Sequence, residues 1–142
     1  MNSPNARLVI VLDTNVVVSA LLKADSPQAR LLATVLRGRL RIAFDARILT
    51  EYRHVLLRPK VGFDPARVGI LLEALEREGI AVAAQFVDVS LPDPDDRKFL
   101  EVASALDPPA VLITGNTWHF PSELCGQVRV EAPREFLEHL SS

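Results

Sequence analysis

The stretch Leu8-Val9-Ile10-Val11-Leu12-Asp13-Thr14-Asn15 constrains this chain more than any other. Its apolar run, rich in β-branched residues, reads as a strand buried on both faces, the habit of a central strand in a parallel sheet. A carboxylate follows without a spacer. Open α/β sheets hold their ligands beyond the C-terminal ends of the central strands, so Asp13 stands where a binding or catalytic group would be. Thr14 and Asn15 offer short polar side chains to the start of the next helix. The alternative is that Asp13 merely caps that helix, and the rest of the chain has to decide.

The chain then alternates. A short apolar helix is predicted over residues 16–22. Ser26-Pro27 is a cap residue followed by Pro at the first helical position, and Leu31, Leu32, Val35 and Leu36 give residues 28–37 a helical spacing. Leu40, Ile42 and Phe44 alternate with Arg39, Arg41 and Ala43 as a strand near an edge. Asp45 caps a helix over 46–57 whose apolar stripe is Ile48, Leu49, Tyr52, Val55 and Leu56, with Glu51 beside it. Asp64-Pro65 repeats the cap-then-Pro pattern before a helix over 66–78, closed by Gly79. A strand is expected within 80–89. Asp93 caps the next helix, with Pro94 in its first position and Asp95 and Asp96 in its first turn. A strand over 110–113 ends in Thr114-Gly115-Asn116. An irregular piece over 117–126, a strand over 128–130 and a helix over 133–140 finish the chain. Strands alternating with helices predict a parallel sheet with helices on both faces, in a single domain over 1–142.

Composition removes several classes. A chain of 142 residues that is 49% hydrophobic and 24% charged is globular and long enough to bury a core without staples. Cys125 is alone, so no intrachain disulfide or cysteine-based zinc site is possible. Residues 1–7 are polar, no leader pattern is read, and no run approaches the ~18 apolar residues of a membrane span; the expected location is the cytoplasm. The net charge of −2 says little, but its distribution says more. Eight of the 16 basic residues fall within residues 30–60 (Arg30, Arg37, Arg39, Arg41, Arg47, Arg53, Arg58 and Lys60) against only Asp45 and Glu51. Such a stretch is either a solvated face or a flank for a polyanion.

The polar residues at predicted strand ends carry the chemistry. Asp13 follows the first strand, Asp93 and Asp96 the third, Thr114 and Asn116 the fourth. If the fourth strand lies beside the first, Asp13 and Asn116 meet at the topological switch point, and Glu51 joins from its helix. Carboxylates converging with no Lys or His in their motifs repel one another, and a hard divalent cation such as Mg²⁺ or Mn²⁺ relieves that. Acids, a hard cation and a basic flank point to phosphodiester hydrolysis. Trp118 and Phe120 are either base-stacking or packing residues; His54, His119 and His139 are scattered.

The motifs Val11-Leu12-Asp13-Thr14-Asn15, Glu51 with Val55-Leu56-Leu57-Arg58-Pro59-Lys60, Pro92-Asp93-Pro94-Asp95-Asp96-Arg97-Lys98-Phe99-Leu100-Glu101, and Leu112-Ile113-Thr114-Gly115-Asn116 leading to His119-Phe120-Pro121 occur in an order that resembles the PIN-domain family. Within it they are similar to the VapC-like toxins of bacterial toxin–antitoxin pairs. The resemblance implies a three-layer α/β/α sandwich with a parallel sheet of about five strands and a Mg²⁺- or Mn²⁺-dependent ribonuclease activity. It places Asp13, Glu51 and Asp96 at acidic metal positions and adds Asp93 as a further catalytic acid. Thr14, Asn15, Thr114 and Asn116 would support the site. Arg39, Arg41, Arg53 and Arg58 are the candidate RNA contacts. Asn116 falls where many members have a fourth acid, which puts a second metal in doubt. The resemblance also implies a cognate antitoxin and a homodimer. The alternatives are a PIN-type module that binds RNA or protein without cutting, and a receiver-like protein with Asp13 as nucleophile. The latter is disfavoured because no Lys follows a late strand.

Overall fold

A computed structural model describes residues 8–141; the polar segment 1–7 lies outside them. The opening apolar run forms β1 (Leu8–Leu12), with Ile10, Val11 and Leu12 fully buried. After it come α1 (Thr14–Leu22), α2 (Pro27–Leu36), β2 (Leu40–Phe44), α3 (Ala46–Leu56), α4 (Pro65–Glu78) and β3 (Ile80–Ala81). A 3₁₀ turn (Pro94–Asp96) leads into α5 (Arg97–Ser104), followed by β4 (Val111–Ile113), two further 3₁₀ turns (Thr117–His119 and Ser122–Leu124), β5 (Val130–Glu131) and α6 (Pro133–Ser141).

The five strands lie in the order β3-β2-β1-β4-β5, and each neighbouring pair is parallel. Together with the helices they make the expected α/β sandwich. The chain winds outward from β1 through β2 to β3, then returns to the other side of β1 as β4. The switch in direction therefore falls between β1 and β4, where Leu12 is paired with Ile113. The Asp13 amide donates to the Ile113 carbonyl at 2.9 Å, so the ladder runs one residue past β1. α5 packs on β1, β2 and β4, while α2, α3 and α4 pack on β2.

The helix starts read from sequence are made by the expected side chains. Ser26 Oγ accepts from the Ala29 amide at 3.1 Å and Asp45 Oδ1 from the Ile48 amide at 3.1 Å. Asp64 Oδ1 accepts from the Ala66 amide at 3.2 Å. Asp13 stands at the same position before α1 but makes no cap hydrogen bond. Its carboxylate instead accepts from the Thr114 hydroxyl.

One strand falls within its expected window but is short, and another starts later than expected. β3 is two residues long, because β2 ends at Phe44 where Asp45 turns the chain into α3. Ile80 and Ala81 pair with Ala43 and Phe44, the last residues that β2 offers. The Val82 amide still donates to the Phe44 carbonyl at 2.8 Å. Beyond it the segment continues outside the sheet and is tied down by side chains: the Val87 amide donates to Glu101 Oε2 at 2.9 Å, and the Arg97 guanidinium lies 4.7 Å from the Phe86 ring centroid. β5 begins at Val130 rather than at 128, since β4 offers Leu112 and Ile113 to Val130 and Glu131. Glu131 is buried in this strand, and its carboxylate meets Arg129 and His139. Among the described residues no helix is long and apolar enough to cross a membrane.

The junction of α4 with β2 is tight. A Cβ at Gly79 would stand 2.6 Å from the Ile42 carbonyl oxygen and 2.7 Å from that of Leu75. Backbone on two sides cannot yield, so Gly79→Ala is expected to lower stability by about 1–3 kcal/mol. Gly69 lies inside α4 with nothing within 4 Å of a built Cβ, so Gly69→Ala is expected to raise stability by about 0.5–1 kcal/mol through helix propensity. Urea unfolding of the two variants checks both signs.

Candidate functional site

The C-terminal ends of β1 and β4, the middle of α3, the turn before α5 and the segment after β4 enclose a cleft of about 450 Å³. Asp13, Thr14, Asn15, Glu51, Arg58, Asp93, Asp96, Asn116 and His119 line it. The four expected carboxylates thus share one cleft, from sequence positions as far apart as 13 and 96.

Each is held by a specific neighbour. Thr114, fully buried at the end of β4, donates its hydroxyl to Asp13 Oδ2 at 2.7 Å and accepts from the Asn116 amide at 3.0 Å. Thr14 donates its hydroxyl to Glu51 Oε2. Tyr52, next to Glu51 on α3, is wholly buried, and its hydroxyl donates to the Leu12 carbonyl. That bond fastens α3 to the end of β1 and brings Glu51 over the cleft. Asp93 Oδ1 accepts from the Asp95 amide at 3.0 Å, which makes the turn that presents Asp96.

The expectation that no Lys or His accompanies the acids is overturned. Lys98 Nζ lies 2.7 Å from Glu51 Oε1, and His119 Nδ1 lies 3.2 Å from Asp96 Oδ2. Lys98 comes two residues after Asp96 and His119 three after Asn116, so the sequence carried both within the recognised motifs. Their side-chain directions were what it did not reveal. Tyr52, read as part of an apolar stripe, has its polar end on the Leu12 carbonyl behind the cleft wall, which the sequence did not reveal for the same reason.

These partners leave the acids incompletely compensated. Burial pushes the Asp96 carboxyl up from 3.8 to about 6; the charges of Asp13 and Asp93 add to the rise and His119 opposes it. Burial also raises the Asp13 carboxyl, with the charge of Glu51 adding and the Thr114 hydroxyl and the nearby amides of Asn15 and Thr14 opposing. Burial pushes the Tyr52 phenol well above its ordinary range, and the charges of Asp13 and Glu51 push in the same direction. The donor chemistry fits a divalent cation: several carboxylates crowd into a part-buried cleft, and Asn15 Oδ1, on the cleft wall, is buried without a hydrogen-bond partner. Asp93, Asp96 and His119 bring their donor atoms within 4.8 Å of one another.

The basic candidates separate. Arg58 lines the cleft and Arg53 is exposed on α3. Arg39 immediately precedes β2 and Arg41 lies near its N-terminal end, opposite Val9 of β1, so both are at the far end of the strands from Asp13. Arg41 donates to the Gly79 carbonyl at 3.4 Å. Trp118 is 67% exposed beside His119, whereas Phe120 is buried.

Acids gathered at the switch point of a parallel α/β sandwich stand where this class of fold holds its ligands. The profile of the PIN domain family matches residues 9–117, well over half of the chain, and the chain belongs to that family. PIN domains are generally nuclease folds with a carboxylate cluster. No curated protein matches the chain.

The raised Asp96 carboxyl has a stability consequence. The folded state holds this proton more tightly than the unfolded chain, so the stability linked to it is complete below 3.8 and is lost as pH rises through about 6. Asp96→Asn removes the buried charge. With cations chelated, the variant is expected to melt about 4 °C or more above the parent at pH 8, with the gain vanishing near pH 4. Thermal unfolding at the two pH values checks it.

Proposed function

We propose that this chain is a divalent-cation-dependent endoribonuclease and the toxin of a toxin–antitoxin pair. The observation that carries the nuclease reading is the convergence of Asp13, Glu51, Asp93 and Asp96 on one cleft at the β1–β4 switch point. Asp13, Glu51 and Asp96 would hold Mg²⁺ or Mn²⁺, with Asp93 as a further acid. Such an ion lowers the pKa of a bound water and offsets the charge that develops on a phosphodiester.

The chain's own residues divide the remaining work. Thr114 fixes the rotamer of Asp13, and Thr14 and Lys98 fix that of Glu51. Asn15 and Asn116 present amide groups to the cleft, suited to hydrogen-bonding a water or a phosphate oxygen. Arg58 at the rim and Arg53 on the neighbouring helix surface would hold RNA phosphates. The exposed Trp118 ring would stack a base of a single strand, worth about 1–3 kcal/mol. The toxin role, a cognate antitoxin, a homodimeric state and a cytoplasmic location rest on the resemblance of the four ordered motifs. Arg39 and Arg41, remote from the cleft, are better suited to contact a long RNA outside the cleavage site than at it. The alternative, a module that binds RNA or protein without cutting, draws on the Lys98–Glu51 ion pair and on Asn116, which together leave fewer free acids.

Asp13→Asn is expected to reduce Mn²⁺-supported cleavage of a structured RNA by about two orders of magnitude or more, with the fold intact by circular dichroism. Cleavage equal to that of the parent would refute the role of Asp13. For binding, Arg58→Ala should flatten the salt dependence of single-stranded RNA affinity by about 0.7 in logarithmic slope, the amount for one phosphate contact. Filter binding across a salt series measures it, and an unchanged slope would remove Arg58 from the RNA path.

A further inference from the structure

The tightest set of metal-type donors among the described residues is not the one that the carboxylate pattern suggests. It is Asp93, Asp96 and His119, whose donor atoms lie within 4.8 Å of one another. Asp13 and Glu51, held by Thr114 and by Thr14 and Lys98, fall outside this set, which shares Asp96 with the carboxylate site proposed above. His119 Nδ1 stands 3.2 Å from Asp96 Oδ2. Adjacent corners of an octahedron with metal–donor distances of about 2.1 Å are about 3 Å apart, so this pair already has the spacing of two donors to one ion.

The position of the ring is built by the fold. His119 closes the 3₁₀ turn Thr117–His119, and its amide donates to the Asn116 carbonyl at 2.9 Å. The next residue, Phe120, is buried and anchors the turn to the core. Trp118 packs edge-on against the imidazole, with ring centroids 5.6 Å apart. Asn116 offers a neutral amide where the resemblance implies an acid. A nitrogen donor three residues later restores a ligand on this side of the cleft without adding another negative charge to acids that already repel.

We propose that His119 is a direct nitrogen ligand, forming with Asp93 and Asp96 a mixed nitrogen–oxygen cation site at one end of the cleft, and that this site prefers Co²⁺ and Ni²⁺ to Mg²⁺ more strongly than carboxylates alone would. The inference rests on the reading that the cleft binds a divalent cation. Imidazole suits the later transition ions, whereas oxygen donors and water suit Mg²⁺. Coordination through Nδ1 uses the tautomer that carries its proton on Nε2.

The test is spectroscopic and needs no substrate. Pulsed electron paramagnetic resonance of the parent protein loaded with Mn²⁺ should show nitrogen modulation, and His119→Ala should abolish it. The His119 side chain is part-exposed, so the variant is expected to fold. Calorimetric titration should find Co²⁺ weakened about tenfold or more in His119→Ala, and Mg²⁺ by less than about threefold. Trp118, the single tryptophan, gives a second reading, since bound Co²⁺ should quench its emission. Mn²⁺ bound without nitrogen modulation, or equal losses for Co²⁺ and Mg²⁺, would overturn the ligand role of His119 and leave a carboxylate site standing. A parent protein that binds none of the three ions would overturn the cation reading itself.

Discussion

The parallel pairing of β1 with β4 is the constraint on which the site depends. It sets two strand ends side by side at the one place in the sheet where the direction of winding changes, so no crossover helix covers them. The bond from the Asp13 amide to the Ile113 carbonyl carries this pairing one residue beyond β1 and fixes the backbone from which the Asp13 carboxylate projects. The Tyr52 hydroxyl then takes the Leu12 carbonyl and draws α3 onto the same strand end. Glu51 arrives over the cleft as a consequence of that packing. A fully buried tyrosine with its one polar atom satisfied is a stable way to hold a helix, and here it also aims a carboxylate.

The two kinds of buried acid in this molecule behave oppositely, and the contrast separates scaffold from site. Burial pushes the Glu101 carboxyl up, but hydrogen bonds from Arg47 and the Val87 amide and the charges of Arg47 and Arg97 outweigh it, so the group sits below its ordinary value. Its partners are complete, and it fastens α5 to α3 and to the segment after β3. Asp96 is also buried, and there burial pushes the carboxyl up with the charges of Asp13 and Asp93 adding and only His119 opposing, so its net shift is upward. Strong shifts from burial and like charge are a mark of functional clefts. The fold tolerates them because the sheet beneath is held by an apolar core that owes nothing to those groups.

The basic stretch shows why proximity in sequence is a poor guide to a surface. Residues 30–60 run from α2 through β2 and along α3 to the rim of the cleft, so they cross the whole length of the sheet. Arg39 and Arg41 fall at the N-terminal end, Arg47 is engaged by Asp45 and Glu101, and Arg58 reaches the acids. One run of arginines therefore serves different parts of the molecule.

Much of the architecture was legible in the sequence because its rules are local. The opening apolar run announced a central strand, and Ser26, Asp45 and Asp64 announced helix starts that hydrogen bonds at those residues bear out. Polar residues at strand ends identified Asp13, Thr114 and Asn116, since the C-terminal edge of a parallel sheet follows from strand direction alone. The short β3 and the start of β5 were not legible, because a strand lasts only as long as its neighbour offers hydrogen-bonding partners. Nor were the roles of Lys98, His119 and the Tyr52 hydroxyl. Those depend on which way side chains point once distant segments have packed, and a contact between residues 52 and 12, or 119 and 96, has no local trace. The sequence by itself determined the elements and the edge at which the acids collect; the tertiary structure decided which cation or hydroxyl stands against each acid, because only packing fixes distances across the cleft.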